Sequence, residues 1–546
     1  MRNGSRWDHD NVAREEAHSW KVCGRRLHLV ALLVLAGVAT AAADVKLPAL
    51  ISDNMVLQQG RQVAIWGTAD AGEQVTVSLG EQKEMATADS NGQWKVELGP
   101  LKKGGPLDMT VAGKNTVTIH NVLAGEVWVC SGQSNMEFAV WNHGVFGGAK
   151  NAEEEVAAAN YPLLRLFIVK KAVAGKPQSD VQGQWVVATP ATVGSFSAVG
   201  YFFGRDLYRT MKFPVGMIDS TWGGTEAEAW TSDEALEADP DLKVVADSWR
   251  QRIVEFPHVL EQYEKKLGDW EKTAEEVEAS GKPALAIPQA PQDPRSNPWR
   301  DAGLWNGMVA PLTPYAIAGA IWYQGESNAG FAFQYRKVFS TMIQQWRSSW
   351  AEGDFPFLFV QLASFSAGGQ PSDSWAVLRE SQEKTLALPK TGMAVAIDIG
   401  ESHDIHPKNK QEVGRRLALA AEGIAYSRKI EYRGPTFISL RADKGILRLR
   451  FTHVAGGLVV HGQRLMGFEI AGQDQQFIPA EAKIEGNEVV LSTSRVPKPV
   501  AARYTWANDP KCNLYNKVGL PAPPFRTDDW TVSTQGTVRT EAPKSW

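Results

Sequence analysis

The chain has 546 residues, 43% hydrophobic and 22% charged, the balance of a folded globular protein. That length is too great for one core, so about two to four domains are expected. A net charge of −4 without a long basic run in its main part gives nucleic acid no electrostatic hold.

Arg25 and Arg26 precede an apolar run, Leu29 to Val38, that ends in Ala39-Thr40-Ala41-Ala42-Ala43. Positive charge, a short apolar core and small residues describe a signal peptide over 1–43, cut after Ala43, and a secreted or periplasmic protein. The run is too short to span a bilayer comfortably, and no second one follows, so the mature chain is expected to have no membrane anchor. Only Cys130 and Cys512 then remain, which is no disulfide framework. Cys130 reads as a small core residue, with a pairing to Cys512 left open.

Residues 44–122 read as all-β. Val63–Gly67, Gln74–Leu79 and Thr116–Ile119 alternate or are β-branched, and turn signals such as Ala71-Gly72 and Ser90-Asn91-Gly92 separate them. Their spacing predicts a small N-terminal β-sandwich.

Residues 123–427 change to an α/β pattern. The predicted strands are Val127–Val129, Leu164–Ile168, Val215–Ile218, Ala318–Tyr323, Phe357–Val360 and Met393–Ile397. Val199–Met211, Phe333–Trp350 and Gln411–Ala421 read as helices. The Glu-, Lys- and Gln-rich stretch 233–296 reads as a helical insertion that ends in a proline-rich loop. Residues 428–546 return to strand periodicity, in Ile446–Phe451 and Leu458–His461, and predict a C-terminal β domain.

Polar motifs follow four of these strands. Gly132-Gln133-Ser134-Asn135 stops the first strand at a glycine and exposes a serine, which is a nucleophile only if a base takes its proton. His406 is that candidate base, with Asp404 two residues before it to hold the imidazole and His403 as a weaker rival. Oxyanion donors are expected from the Ser134 amide, from Gly224 in Trp222-Gly223-Gly224-Thr225, and from Gln324 in Gln324-Gly325-Glu326-Ser327-Asn328. Each motif alone is weak. A Gly-x-Ser is common and a lone His is usually packed or solvated. Four in these strand contexts should converge on one edge of an open sheet, where such folds bind ligands. No metal-ligand cluster of convincing spacing is present, and no cofactor is called for.

The order and wording of these blocks resemble the SGNH hydrolases, and more closely the sialate O-acetylesterase family. The similar blocks are Ile51–Gln58, Trp128–Met136, Phe196–Phe203, Trp222–Thr225, Trp322–Asn328, Asp404–Pro407, Gly519–Ala522 and Phe525–Asp528. The resemblance implies an SGNH-hydrolase-like open parallel sheet flanked by helices, between the two β regions. It implies Ser134 as nucleophile, His406 as base, and Gly224 and Gln324 at the oxyanion hole, with Glu326 and Asn135 as possible supports. The general pattern has Asp three residues before the His. Here Asp404 is two before it, so either Asp404 orients the imidazole, or Glu326 or a carbonyl does and the site is a dyad.

The expected activity is removal of acetyl groups from sugar hydroxyls, sialate first, with acetyl xylan as the alternative substrate. A carbohydrate-binding protein on an inactive scaffold is a second class, which a retained nucleophile and base disfavour. An esterase for longer acyl chains is a third, needing an acyl groove that the sequence does not display.

Overall fold

The computed structural model describes residues 44–142, 146–280, 283 and 285–539. The expected signal peptide lies outside them. The first strands are β1 (Val56–Gln58), β2 (Val63–Thr68), β3 (Gln74–Leu79), β4 (Gln82–Thr87), β5 (Gln93–Leu98) and β6 (Gly104–Ala112). β2 pairs with β5 in one antiparallel sheet, and β3 lies between β4 and β6 in another.

The 17-residue β7 (Thr116–Gly132) then runs from this region into the centre of the molecule. Its first half pairs antiparallel with β6. Its second half pairs parallel with β10 (Val215–Thr221) on one side and β11 (Gly319–Tyr323) on the other. The expected boundary at 122/123 therefore falls inside a strand. The two predicted strands Thr116–Ile119 and Val127–Val129 are one element, because the chain passes a bulge at His120 and Asn121, where the pairing with β6 shifts register, and continues as strand.

With β8 (Tyr161–Ile168), β9 (Trp185–Ala188), β12 (Phe357–Gln361) and β13 (Thr391–Val395), the central order is β13-β12-β11-β7-β10-β8-β9. All neighbours from β13 to β8 are parallel, and β9 closes the edge antiparallel. Strands covered on both faces have no need to alternate, which explains the continuous apolar runs.

The helices are α1 (Ser134–Glu137), α2 (Ala152–Ala157), α3 (Ala198–Met211), α4 (Asp233–Glu237), α5 (Pro240–Ala279), α6 (Ala332–Trp350), α7 (Ser374–Lys384) and α8 (Lys410–Ile424). Trp128 of β7 meets Phe203 of α3 edge-on. Trp322 of β11, in register with Ser131 and so on the other face, meets Phe339 and Trp346 of α6. The sheet is thus sandwiched by helices. The predicted helical insertion is α4 and α5, and residues after 285 have no regular structure up to Asp293.

The C-terminal region is a second hydrophobic cluster, with Leu447, Leu449, Ile470, Val489, Leu491 and Tyr504 at its centre. Two four-stranded antiparallel sheets and one strand pair build it. Cys130 is fully buried, and neither Cys130 nor Cys512 is in a disulfide.

Candidate active site

In register, Gly132 lies between Thr221 of β10 and Tyr323 of β11. The loops that leave those strands therefore flank whatever follows Gly132. At φ +135°, a Cβ on Gly132 would meet Tyr323 O at 2.2 Å, so only glycine permits the approach. Gln133 then staples the turn. Its N–H donates to Tyr323 O (3.0 Å), and its Oε1 accepts from the amides of Gly325 and Ser327, both at 3.2 Å. Ser134 opens α1, where the first amides have no partner within the helix.

His406 comes from the loop between β13 and α8. Its Nε2 lies 3.0 Å from Ser134 Oγ, within reach of a proton transfer. The base of that loop is pinned by Asp398, which accepts from both terminal nitrogens of Arg416 at 2.6 and 2.7 Å. Asp404 Oδ1 accepts from the backbone N–H of His406 (2.9 Å) but is 3.8 Å from His406 Nδ1, too far for a hydrogen bond. It braces the loop and supplies a nearby negative charge. His403 is exposed, with no side-chain partner among the described residues. Burial, and next the charge of Lys410, push the His406 pKa below its usual value, while Asp404 opposes the shift. The imidazole is therefore neutral at neutral pH, the form that accepts a proton.

The turn after β10 approaches Ser134 from one side. Trp222 N–H donates to Gly132 O (3.1 Å). Gly223 N–H donates to the Glu137 carboxylate, whose other oxygen pairs with Lys171. Gly224 has φ +74°, a backbone state glycine adopts freely. Its carbonyl accepts from Trp299 Nε1 (2.6 Å). Among the described residues, the amides of Ser134 and Gly224 have no hydrogen-bond acceptor.

Gln324 is placed differently from the expectation. It is fully buried, and its Nε2 donates to Asn328 Oδ1 (2.6 Å) and Thr225 O (3.3 Å). Both amide hydrogens are thereby directed into the protein, joining the two flanking loops to each other. Asn328 continues the bracing, donating to Glu228 (2.9 Å) and accepting from Ala227 N (3.1 Å).

The chain is similar to known carbohydrate esterases. A family model described as a carbohydrate esterase, sialic acid-specific acetylesterase, matches residues 298–422. The sialate O-acetylesterase of Rattus norvegicus is 32% identical over 92% of this chain and 98% of its own. That of Homo sapiens is 31% identical over 92% of this chain and 96% of its own. The chain belongs to the sialate O-acetylesterase family. It is accordingly a hydrolase of ester bonds. A crystal structure of a carbohydrate acetylesterase from Xanthomonas citri superposes with a TM-score of 0.76 and is 38% identical, covering 89% of this chain and 100% of that one.

The family match spans Gln324, Glu326, Asp404 and His406, while Ser134 and Gly224 lie in regions matched by the full-length relatives. Sequence reasoning missed several neighbours of the pair. Glu137 holds Gly223, Lys171 lies over the Trp222 ring, and Phe146 meets the His406 ring edge-on at 4.6 Å. Lys410 is fully buried behind the site. A stretch such as Lys408-Asn409-Lys410 reads as a solvated helix start, so nothing local marks that lysine. Among the described residues, no group of three or more His, Cys, Asp or Glu is arranged to hold a metal.

Proposed function

We propose that this chain removes acetyl groups from sugar hydroxyls, with O-acetylated sialic acid as the first substrate, through an acyl-enzyme on Ser134. The observation that carries the reading is the 3.0 Å contact between Ser134 Oγ and the neutral His406 Nε2. It sits beside two amides without acceptors, at the carboxyl ends of adjacent parallel strands. The parallel sheet order supports the SGNH-type reading of the fold.

In this mechanism His406 takes the Ser134 proton as Oγ attacks the acetyl carbonyl. The oxyanion forms against the N–H groups of Ser134 and Gly224. His406 then protonates the departing sugar oxygen. Water, deprotonated by the same imidazole, attacks the acetyl-serine and releases acetate. Asp404 acts through its charge and its hold on the loop, so the site works as a dyad with an acid nearby. Gln324 braces the flanking loops, and the oxyanion contacts fall to backbone amides. The leader reading of residues 1–43 supports export before the enzyme acts.

The relatives above are named for sialate, whereas the Xanthomonas citri structure is named only for carbohydrate, which keeps an acetylated polysaccharide such as xylan as the second reading. Acetate release from O-acetylated sialic acid and acetyl xylan, measured side by side, decides between them. Faster release from the sialate is expected. Release from xylan alone would move the substrate to plant polysaccharide, and release from neither would sink the acetylesterase reading for both.

A further inference from the structure

We propose that Lys410 is a positioning residue for the hydrolysis: it fixes the side-chain amide of Asn135 and thereby locks the Ser134 turn to the His406 loop. The inference rests on the Ser134–His406 reading above.

Asn135 follows the nucleophile directly. Its Nδ2 donates to Ile405 O (2.9 Å), the carbonyl directly before His406, and to Glu326 Oε1 (2.6 Å). Its Oδ1 accepts from Lys410 Nζ. A primary amide has two hydrogens and one oxygen, and all are used. Rotating the amide by half a turn would set NH₂ against the ammonium and oxygen against a carboxylate and a carbonyl. Lys410 and Glu326 therefore dictate one orientation from opposite sides, and only that orientation reaches Ile405.

The location of Lys410 supports this. It is the first residue of α8, where the helix dipole disfavours a cation, and it is fully buried. Taking an ammonium out of water is unfavourable unless the buried charge is well partnered. A methionine would fill the space without that cost. The charge lies over the faces of Phe138 (4.8 Å) and Tyr323 (5.4 Å), with Glu326 facing it from the turn after β11. Glu401 and Asp404 face it from the loop before α8. Burial lowers the Lys410 pKa to about 7, partly opposed by these carboxylates. Below that pH its charge is present and acts on His406, whose other charged neighbour is Asp404.

The test is the pH profile of kcat/KM and the split of kcat from KM for Lys410→Met, Asn135→Ala and the double variant, with Ser134→Ala alongside. Lys410→Met is expected to lower kcat on the order of 10²-fold with KM little changed. Loss of the positive charge raises the His406 pKa, so the acid limb of kcat/KM moves to higher pH. Asn135→Ala should show a similar fall, and the double variant should not add to it. If Lys410→Met does not fold, Lys410→Gln, which keeps a donor on a stem one atom shorter, should show the same upward move of the acid limb. An unchanged kcat, or an unmoved acid limb with additive losses, overturns the proposal. Full activity in Ser134→Ala would instead overturn the nucleophile reading, and this inference with it. An inactive Ser134→Ala beside Lys410 variants of wild-type kcat and profile would remove this inference alone.

Discussion

In the proposed mechanism the chemistry turns on one neutral imidazole. His406 needs to be unprotonated to act, and burial together with Lys410 holds its pKa below the usual value of 6.5. Activity is lost only as pH falls through that lowered value. The acid limb of kcat/KM should therefore lie below about pH 6.5, read from initial rates of acetate release. Asp404 is a weaker participant, since 3.8 Å separates it from Nδ1. Asp404→Asn keeps the acceptor for the His406 amide, and kcat/KM should fall by less than about 10-fold, against about 10⁴-fold where a triad acid sets the tautomer. A loss of the larger size would show that the carboxylate swings onto Nδ1 when substrate binds. The serine and the glycine turns were legible in the sequence because each follows a strand directly, and the histidine because it lies in the loop between a strand and a helix. The orientation of Gln324 was not, because a polar residue in a loop can face either way until tertiary partners, here Thr225 and Asn328, choose. Lys410 was hidden for the same reason, since its burial comes from Phe138 and Tyr323, distant in sequence.

At the scale of elements, the site depends on how strand ends are tied to helices. The loop that carries His406 hangs from the Asp398–Arg416 pair, whose side chains are 7% and 5% exposed. Arg416 also bonds Glu412 and the carbonyl of Val395 at the end of β13. Arg416→Met leaves Asp398 buried without its cation, so a loss of about 3–5 kcal/mol in unfolding free energy is expected, measured by denaturant titration. A loss under about 1 kcal/mol would mean that water, together with the Tyr515 hydroxyl that already bonds Asp398, holds the carboxylate without the cation. Most strands and helices were readable from periodicity. The continuity of β7 was not, because Asn121 and Gly125 resemble a break; Asn121 does take φ +62° where the pairing with β6 shifts register, but the strand resumes at once and Gly125 pairs with Gln58 of β1.

Over the whole molecule, the two β regions are built into the support of the site. β7 carries the N-terminal sheet directly into Ser134. Tyr515 of the C-terminal region donates to Asp398 (3.1 Å), and the buried Arg379 of α7 donates to Ala507 O (2.8 Å) and Asn508 O (2.9 Å) as well as to Leu362 O and Ala363 O. The outer part of α5 is a contrast. Val254 is 79% exposed, and most of the residues beyond it on α5 are also exposed. Its inner part packs Val245 and Trp249 against Trp299, which holds Gly224. Replacing residues 254–290 by a short flexible linker should leave the melting temperature within a few degrees and the turnover of a small acetyl ester unchanged. A large drop in turnover would assign the excursion a part in closing the site.

The central claim is that Ser134 is the nucleophile served by His406. Its most direct test is kcat/KM for acetate release from O-acetylated sialic acid by the wild-type chain and Ser134→Ala, with circular dichroism to confirm an intact fold. A fall of about 10⁴-fold or more is expected, because the residual site retains only binding and backbone donors. Activity within about tenfold of wild type in a folded Ser134→Ala chain would contradict it.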